Sequence, residues 1–86
     1  PGVTSGQGLD TAALAKLSAP VRRRVIRGWL LAGGAIGLTD KQIRGVDTLV
    51  TAWRGQGGVA VGSMLRGQRL VAGRQDGVLL LRQEAM

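Results

Sequence analysis

Apolar residues recur at helical spacing through the first two thirds of this chain and at a period near two through the last third. Residues 10–17 predict a short helix: Asp10 is a good N-cap, and Leu9 and Leu14 sit where a hydrophobic staple would place them. Ser18 then precedes a second helix, expected over 19–33, with Pro20 in its first turn where a missing N–H is harmless. Val21, Val25, Ile26, Trp29, Leu30 and Ala32 form its expected apolar face. Gly33-Gly34 ends it, because glycine tolerates the left-handed conformation that follows a helix. A third helix, expected over 40–54, has the clearest start signal. Thr39 and Gln42 spell a capping box, Asp40 lies in the positive first turn, and Leu38 and Ile43 make a second staple. Ile43, Val46, Leu49, Val50 and Trp53 continue as one stripe, and Gly55 stops it.

Three strands are expected after Gly58, over 59–61, 69–74 and 78–82. Asp76-Gly77 is a strong two-residue hairpin signal between the last two. Arg54-Gly55-Gln56 and Arg66-Gly67-Gln68 echo one another as two similar approaches from loop to strand. The fold class is therefore α+β, three helices followed by a three-stranded antiparallel sheet with one face on the helices and the other wet. Residues 9–82 make a single domain. Residues 1–8 read as a flexible lead-in and 83–86 as a tail, and so abrupt an opening fits a piece of something longer.

Charge changes the picture. Twelve Lys and Arg against five Asp and Glu give a net charge of +7, and His and Cys are both absent. Four arginines, Arg22, Arg23, Arg24 and Arg27, fall within six residues of the second helix. At about 100° per residue, Arg23 and Arg27 stack one turn apart with Arg22 on or near the same flank, whereas Arg24 falls closer to the apolar stripe. Like charges so close cost a helix some tenths of a kcal/mol per pair, so a polyanion or an acidic surface is the expected partner. Trp29 and Trp53, the only aromatics, lie on apolar stripes and are expected in the core. The sheet then offers no aromatic platform, and nucleic acid would be gripped by phosphate and shape.

The same residues exclude most chemistry. Without His or Cys there is no nucleophile–base pair, and no cofactor or metal site is expected. The carboxylates are scattered, with Asp47 on the same helix as Lys41 and Arg44 and expected to pair within that helix. Gly55-Gln56-Gly57-Gly58 follows a helix and precedes a strand, the reverse of a phosphate-binding loop, so it is expected as a turn. No apolar run reaches the roughly 18 residues of a membrane span, and the absence of Cys fits the cytoplasm.

The run from Pro20 to Leu31, then Gly37-Leu38-Thr39, then Ile43 to Val50 resembles the region after the catalytic domain in actinobacterial tRNA(Ile)-lysidine synthetases. Trp53 to Gly58 and the Arg69-to-Arg82 hairpin fit the same region. In that family an N-terminal domain with a Ser-Gly-Gly-x-Asp-Ser loop uses ATP to adenylate the wobble cytidine of an isoleucine tRNA, and lysine displaces AMP. That loop is absent here. The resemblance thus implies a non-catalytic tRNA-binding domain whose partners are tRNA and its own N-terminal catalytic domain, with ATP bound in the latter. By motif match, Arg22, Arg23, Arg27 and Arg54 carry over as tRNA contacts.

The alternative is a winged-helix-like DNA-binding domain, since helix, turn, helix and hairpin occur in the right order. Against it, the 33–38 connection is longer than the usual turn, and the third helix spends its side chains on burial. A third reading, compatible with the first, sets the Arg face against an acidic partner domain.

Overall fold

The helix with the clearest start signal forms as its sequence dictates. In the computed structural model, which describes residues 8–85, the Thr39 hydroxyl accepts the Gln42 N–H at 3.1 Å and the Gln42 side chain accepts the Thr39 N–H at 3.0 Å. This closed capping box opens Asp40–Thr51 (α3), where Ile43, Val46, Leu49 and Val50 are buried. The helix stops at Thr51, so Trp53 and Arg54 lie in the loop beyond it. The first helix, Thr11–Ala15 (α1), starts at Asp10, whose carboxylate accepts the Ala12 N–H. The second, Ala19–Ala32 (α2), starts at Ser18 by its backbone alone: the Ser18 carbonyl accepts the Arg22 N–H at 2.8 Å, and its hydroxyl makes no cap. Gly34, at φ +103°, supplies the left-handed residue after α2.

The sheet has five strands where three were expected. Leu9–Asp10 (β1) and Ala35–Ile36 (β2) join Val59–Ser63 (β3), Gln68–Gln75 (β4) and Val78–Ala85 (β5), in the spatial order β1-β5-β4-β3-β2 with every pair antiparallel. The two extra strands are two residues each, too short to carry a period. They exist because the residues flanking a helix are extended anyway. Asp10, as N-cap, holds φ −71° and ψ 116°, and β1 pairs with β5 through Leu9↔Leu79 and Asp10↔Val78. The chain leaving α2 likewise lies along β3, with Ala35 opposite Ser63. The 1–7 part of the expected lead-in lies outside the described residues.

Asp76 and Gly77 take φ 54° and 76°, the double left-handed turn expected of an Asp-Gly hairpin. That turn also anchors α1: the Thr11 N–H and hydroxyl both donate to the Gly77 carbonyl, at 3.0 and 2.8 Å. Strand alternation puts Val61, Leu70, Ala72 and Leu79 on one buried face, against Ile26 and Leu30 of α2 and Val46 and Leu49 of α3.

The glycine run before β3 has a packing reason at Gly58. A Cβ there would stand 2.7 Å from Val71 Cγ1 and 2.8 Å from the Ala72 carbonyl oxygen. The backbone oxygen cannot yield without disturbing β4. Gly58→Ala is therefore expected to destabilise the domain by about 1–3 kcal/mol, the usual range for overpacking. Urea unfolding followed by circular dichroism reads it, and an unchanged midpoint would mean the loop moves aside freely.

Candidate nucleic-acid interface

The arginine cluster divides into an inward and an outward group. Arg22 points inward and is buried. Its Nε pairs with Asp47 Oδ1, its Nη2 donates to Asp47 Oδ2 at 3.1 Å, and its Nη1 donates to the Leu17 carbonyl at 3.0 Å. Arg23, with its side chain 43% exposed, donates Nε–H to Asp47 Oδ2 at 2.9 Å. Arg24 and Arg27 are exposed, and no ion pair engages either among the described residues. The inward face of α2 is thus Arg22, Ile26, Trp29 and Leu30, at i, i+4, i+7 and i+8, while Val21 and Val25 stand outward at 41% and 38% exposure. The helix is rotated by roughly half a residue's turn, about 50°, from the face its apolar residues alone define.

Asp47 causes that rotation. It does not pair within α3: Arg44 pairs with Asp40, and Asp47 reaches across to α2. Burial pushes its carboxyl up, but hydrogen bonds from Arg22 and then Arg23, with their charges, outweigh that and hold it below its ordinary value. The same contact raises Arg22, chiefly through its hydrogen bond to Asp47. Of the arginines singled out from sequence, Arg22 is thus engaged inside the fold. Arg23 is shared between Asp47 and solvent, and Arg27 stands free on the outer face.

Arg54 is exposed in the loop after α3. That loop is held in shape: the Arg54 N–H donates to Gln56 Oε1 at 2.8 Å, and Gln56 Nε2 donates to the Ala52 carbonyl at 3.3 Å. Gly55 takes φ +81° between them. Beside Arg54, Trp53 is 40% exposed rather than buried in the core. The Arg74 guanidinium of β4 lies 5.2 Å from its ring centroid and donates Nη1–H to the Leu49 carbonyl at 2.8 Å. No sequence signal joined Trp53 to Arg74; only the β4–α3 packing brings them together.

On the sheet, Glu84 sits between Arg69 and Arg82 at 3.2 and 2.7 Å, which holds its carboxyl below the ordinary range, Arg82 contributing first. These exposed pairs add little stability. A cleft of about 270 Å³ between Arg74 and Arg82 falls just under the roughly 300–1,000 Å³ of small-molecule sites. The chemistry this surface offers is therefore charge on exposed faces: guanidinium groups of α2 and of the α3 loop, suited to bidentate contact with phosphate oxygens.

Comparison with known proteins agrees in direction. A family model described as the TilS substrate binding domain matches residues 9–79. The tRNA(Ile)-lysidine synthase of Mycobacterium tuberculosis (strain ATCC 25618 / H37Rv) is 81% identical over 79 residues, 92% of this chain and 24% of the relative. That of Mycobacterium leprae is 76% identical over 81 residues, 94% of this chain and 25% of the relative. That of Nocardia farcinica is 58% identical over 77 residues, 90% of this chain and 24% of the relative. The chain thus spans about a quarter of the length of the curated relatives it matches. No solved structure matches it.

Proposed function

We infer the function from one premise: the chain belongs to the TilS substrate binding domain family. The domain binds tRNA on behalf of a tRNA(Ile)-lysidine synthase, and the ATP-dependent joining of lysine to the tRNA takes place in the catalytic domain that precedes it. The observation that carries this reading is the free guanidinium pair Arg24 and Arg27 on the outer face of α2, in a domain of net charge +7. Arg54, with the exposed edge of Arg23, extends the contact. Arg22 serves it indirectly, by fixing α2 so that its neighbours face outward. The winged-helix DNA-binding alternative finds no support in the family match or in the relatives.

Contacts of this kind release counterions. Four arginine–phosphate contacts give a slope of roughly −3 to −4 in log K against log salt, at about 0.7–0.9 per phosphate. Titration of labelled isoleucine tRNA with the domain at several salt concentrations is expected to show that slope. A flat salt response would sink the phosphate-contact reading.

A further inference from the structure

We propose that Trp53 is a stacking platform for an unpaired nucleobase of the bound RNA. The inference rests on the RNA-binding reading above and goes beyond it, because that reading needs only phosphate contacts.

The large indole ring of Trp53, just beyond α3, is 40% exposed in a protein whose only other aromatic is Trp29. Exposing so much apolar surface is costly unless something covers it. The ring is also held still. Arg74 lies 5.2 Å from its centroid and is itself tied by Nη1–H to the Leu49 carbonyl at 2.8 Å, the last buried turn of α3. On the chain side, Gln56 bridges Ala52 and Arg54, so the loop carrying the ring has fixed geometry. A preorganised ring loses little freedom when a ligand stacks on it.

The chemistry of the surroundings selects the ligand. Arg74 lies over the ring and Arg54, exposed, is the next residue along the chain, and no carboxylate pairs with either among the described residues. A flat π-surface with cations nearby fits a base attached to a phosphate: the base on the indole and the phosphate on Arg54. It fits a nucleobase better than an apolar protein segment, which would leave Arg54 facing a surface without counter-charge. Stacking of this kind does not depend on base identity and adds to phosphate binding without changing the salt slope.

The test uses the Trp29→Phe chain, so that Trp53 is the sole emitter. Labelled isoleucine tRNA and a short single-stranded oligoadenylate are titrated in turn, reading RNA anisotropy and indole fluorescence together. The expected result is quenching of Trp53 that saturates with the anisotropy change. Trp53→Leu, which keeps an apolar cover over Arg74, should weaken binding roughly 5- to 100-fold with the salt slope unchanged. Trp53→Phe should recover part of the loss. RNA binding with silent Trp53 emission and no effect of Trp53→Leu would overturn the stack and leave the phosphate reading standing. Absence of any RNA binding at low salt would overturn both. If Trp53 responds only to an added catalytic domain of a relative, the ring is a domain contact and the stack is wrong.

Discussion

Asp47→Ala is expected to be the most destabilising single substitution outside the apolar core, at about 3–5 kcal/mol. The carboxylate is buried, and among the described residues it is the only acidic group that meets Arg22 and Arg23. Removing it strands a buried guanidinium, whose desolvation is then uncompensated. A domain of this size has a total stability of about 4–13 kcal/mol at 0.05–0.15 kcal/mol per residue. The loss therefore takes a large part of the whole and lowers the melting temperature by more than about 12 °C. The energy resides in the uncompensated charge rather than in the pair as such. Arg22→Met combined with Asp47→Leu removes both charges and keeps the volume, so it should recover most of the loss. Thermal melts of the two single variants and the double variant form a cycle that decides this. If Asp47→Ala melts with the parent, the two charges are solvated in solution and the rotation of α2 has another cause.

The same pair sets a pH window. Asp47 is held below its ordinary value of 3.8 in the folded chain. Its contribution is then fully present above about pH 4 and is lost as pH falls through the folded value. Asp47→Asn removes that titration, so the stability gap between parent and variant should be constant from pH 7 to 5 and narrow below about 4. A gap that stays constant into the acid range would contradict the direction of the shift.

This pair also shows where sequence reading reaches and where it stops. The capping box at Thr39 and Gln42, the Asp-Gly turn and the switch from helical to alternating period are local: each is stabilised by groups a few residues apart, so each is visible along the chain. β1 and β2 are not. Their pairing partners are 26 or more positions away, as with Leu79 for Leu9 and Gly62 for Ile36, and two residues carry no pattern. The face of α2 was misjudged for a different reason. Apolar counting puts Arg22 on the outer flank with Arg23 and Arg27, yet Arg22 is buried because α3 supplies a carboxylate 25 positions on. Arg24, placed by the same counting near the covered stripe, is exposed. Trp53 errs the other way: its stripe continues past the point where the α3 backbone stops being helical, so a periodic match placed a loop residue in the core.

Replacing Arg24, Arg27 and Arg54 together by alanine is expected to abolish most of the proposed tRNA affinity while leaving the fold intact. The three are exposed and make no ion pair among the described residues, so their removal strands no buried group. Relief of repulsion along α2 can even firm the helix by a few tenths of a kcal/mol. Losing three phosphate contacts should shallow the salt slope by about 2–3 units, at roughly 0.7–0.9 each. Extrapolated from molar salt down to about 0.1 M, that is a weakening of roughly 100- to 500-fold. The corresponding triple lysine variant keeps the charges and loses only the planar fork, so it should retain the slope and most of the affinity. Melts and salt titrations on the three proteins separate the possibilities. A triple alanine variant that binds as the parent does would move the interface to other cations, such as Lys41 and Arg66. If it unfolds instead, these side chains have a structural role that their exposure does not reveal. Loss of binding in the lysine variant as well would mean that the guanidinium geometry, rather than the charge, is what the RNA reads.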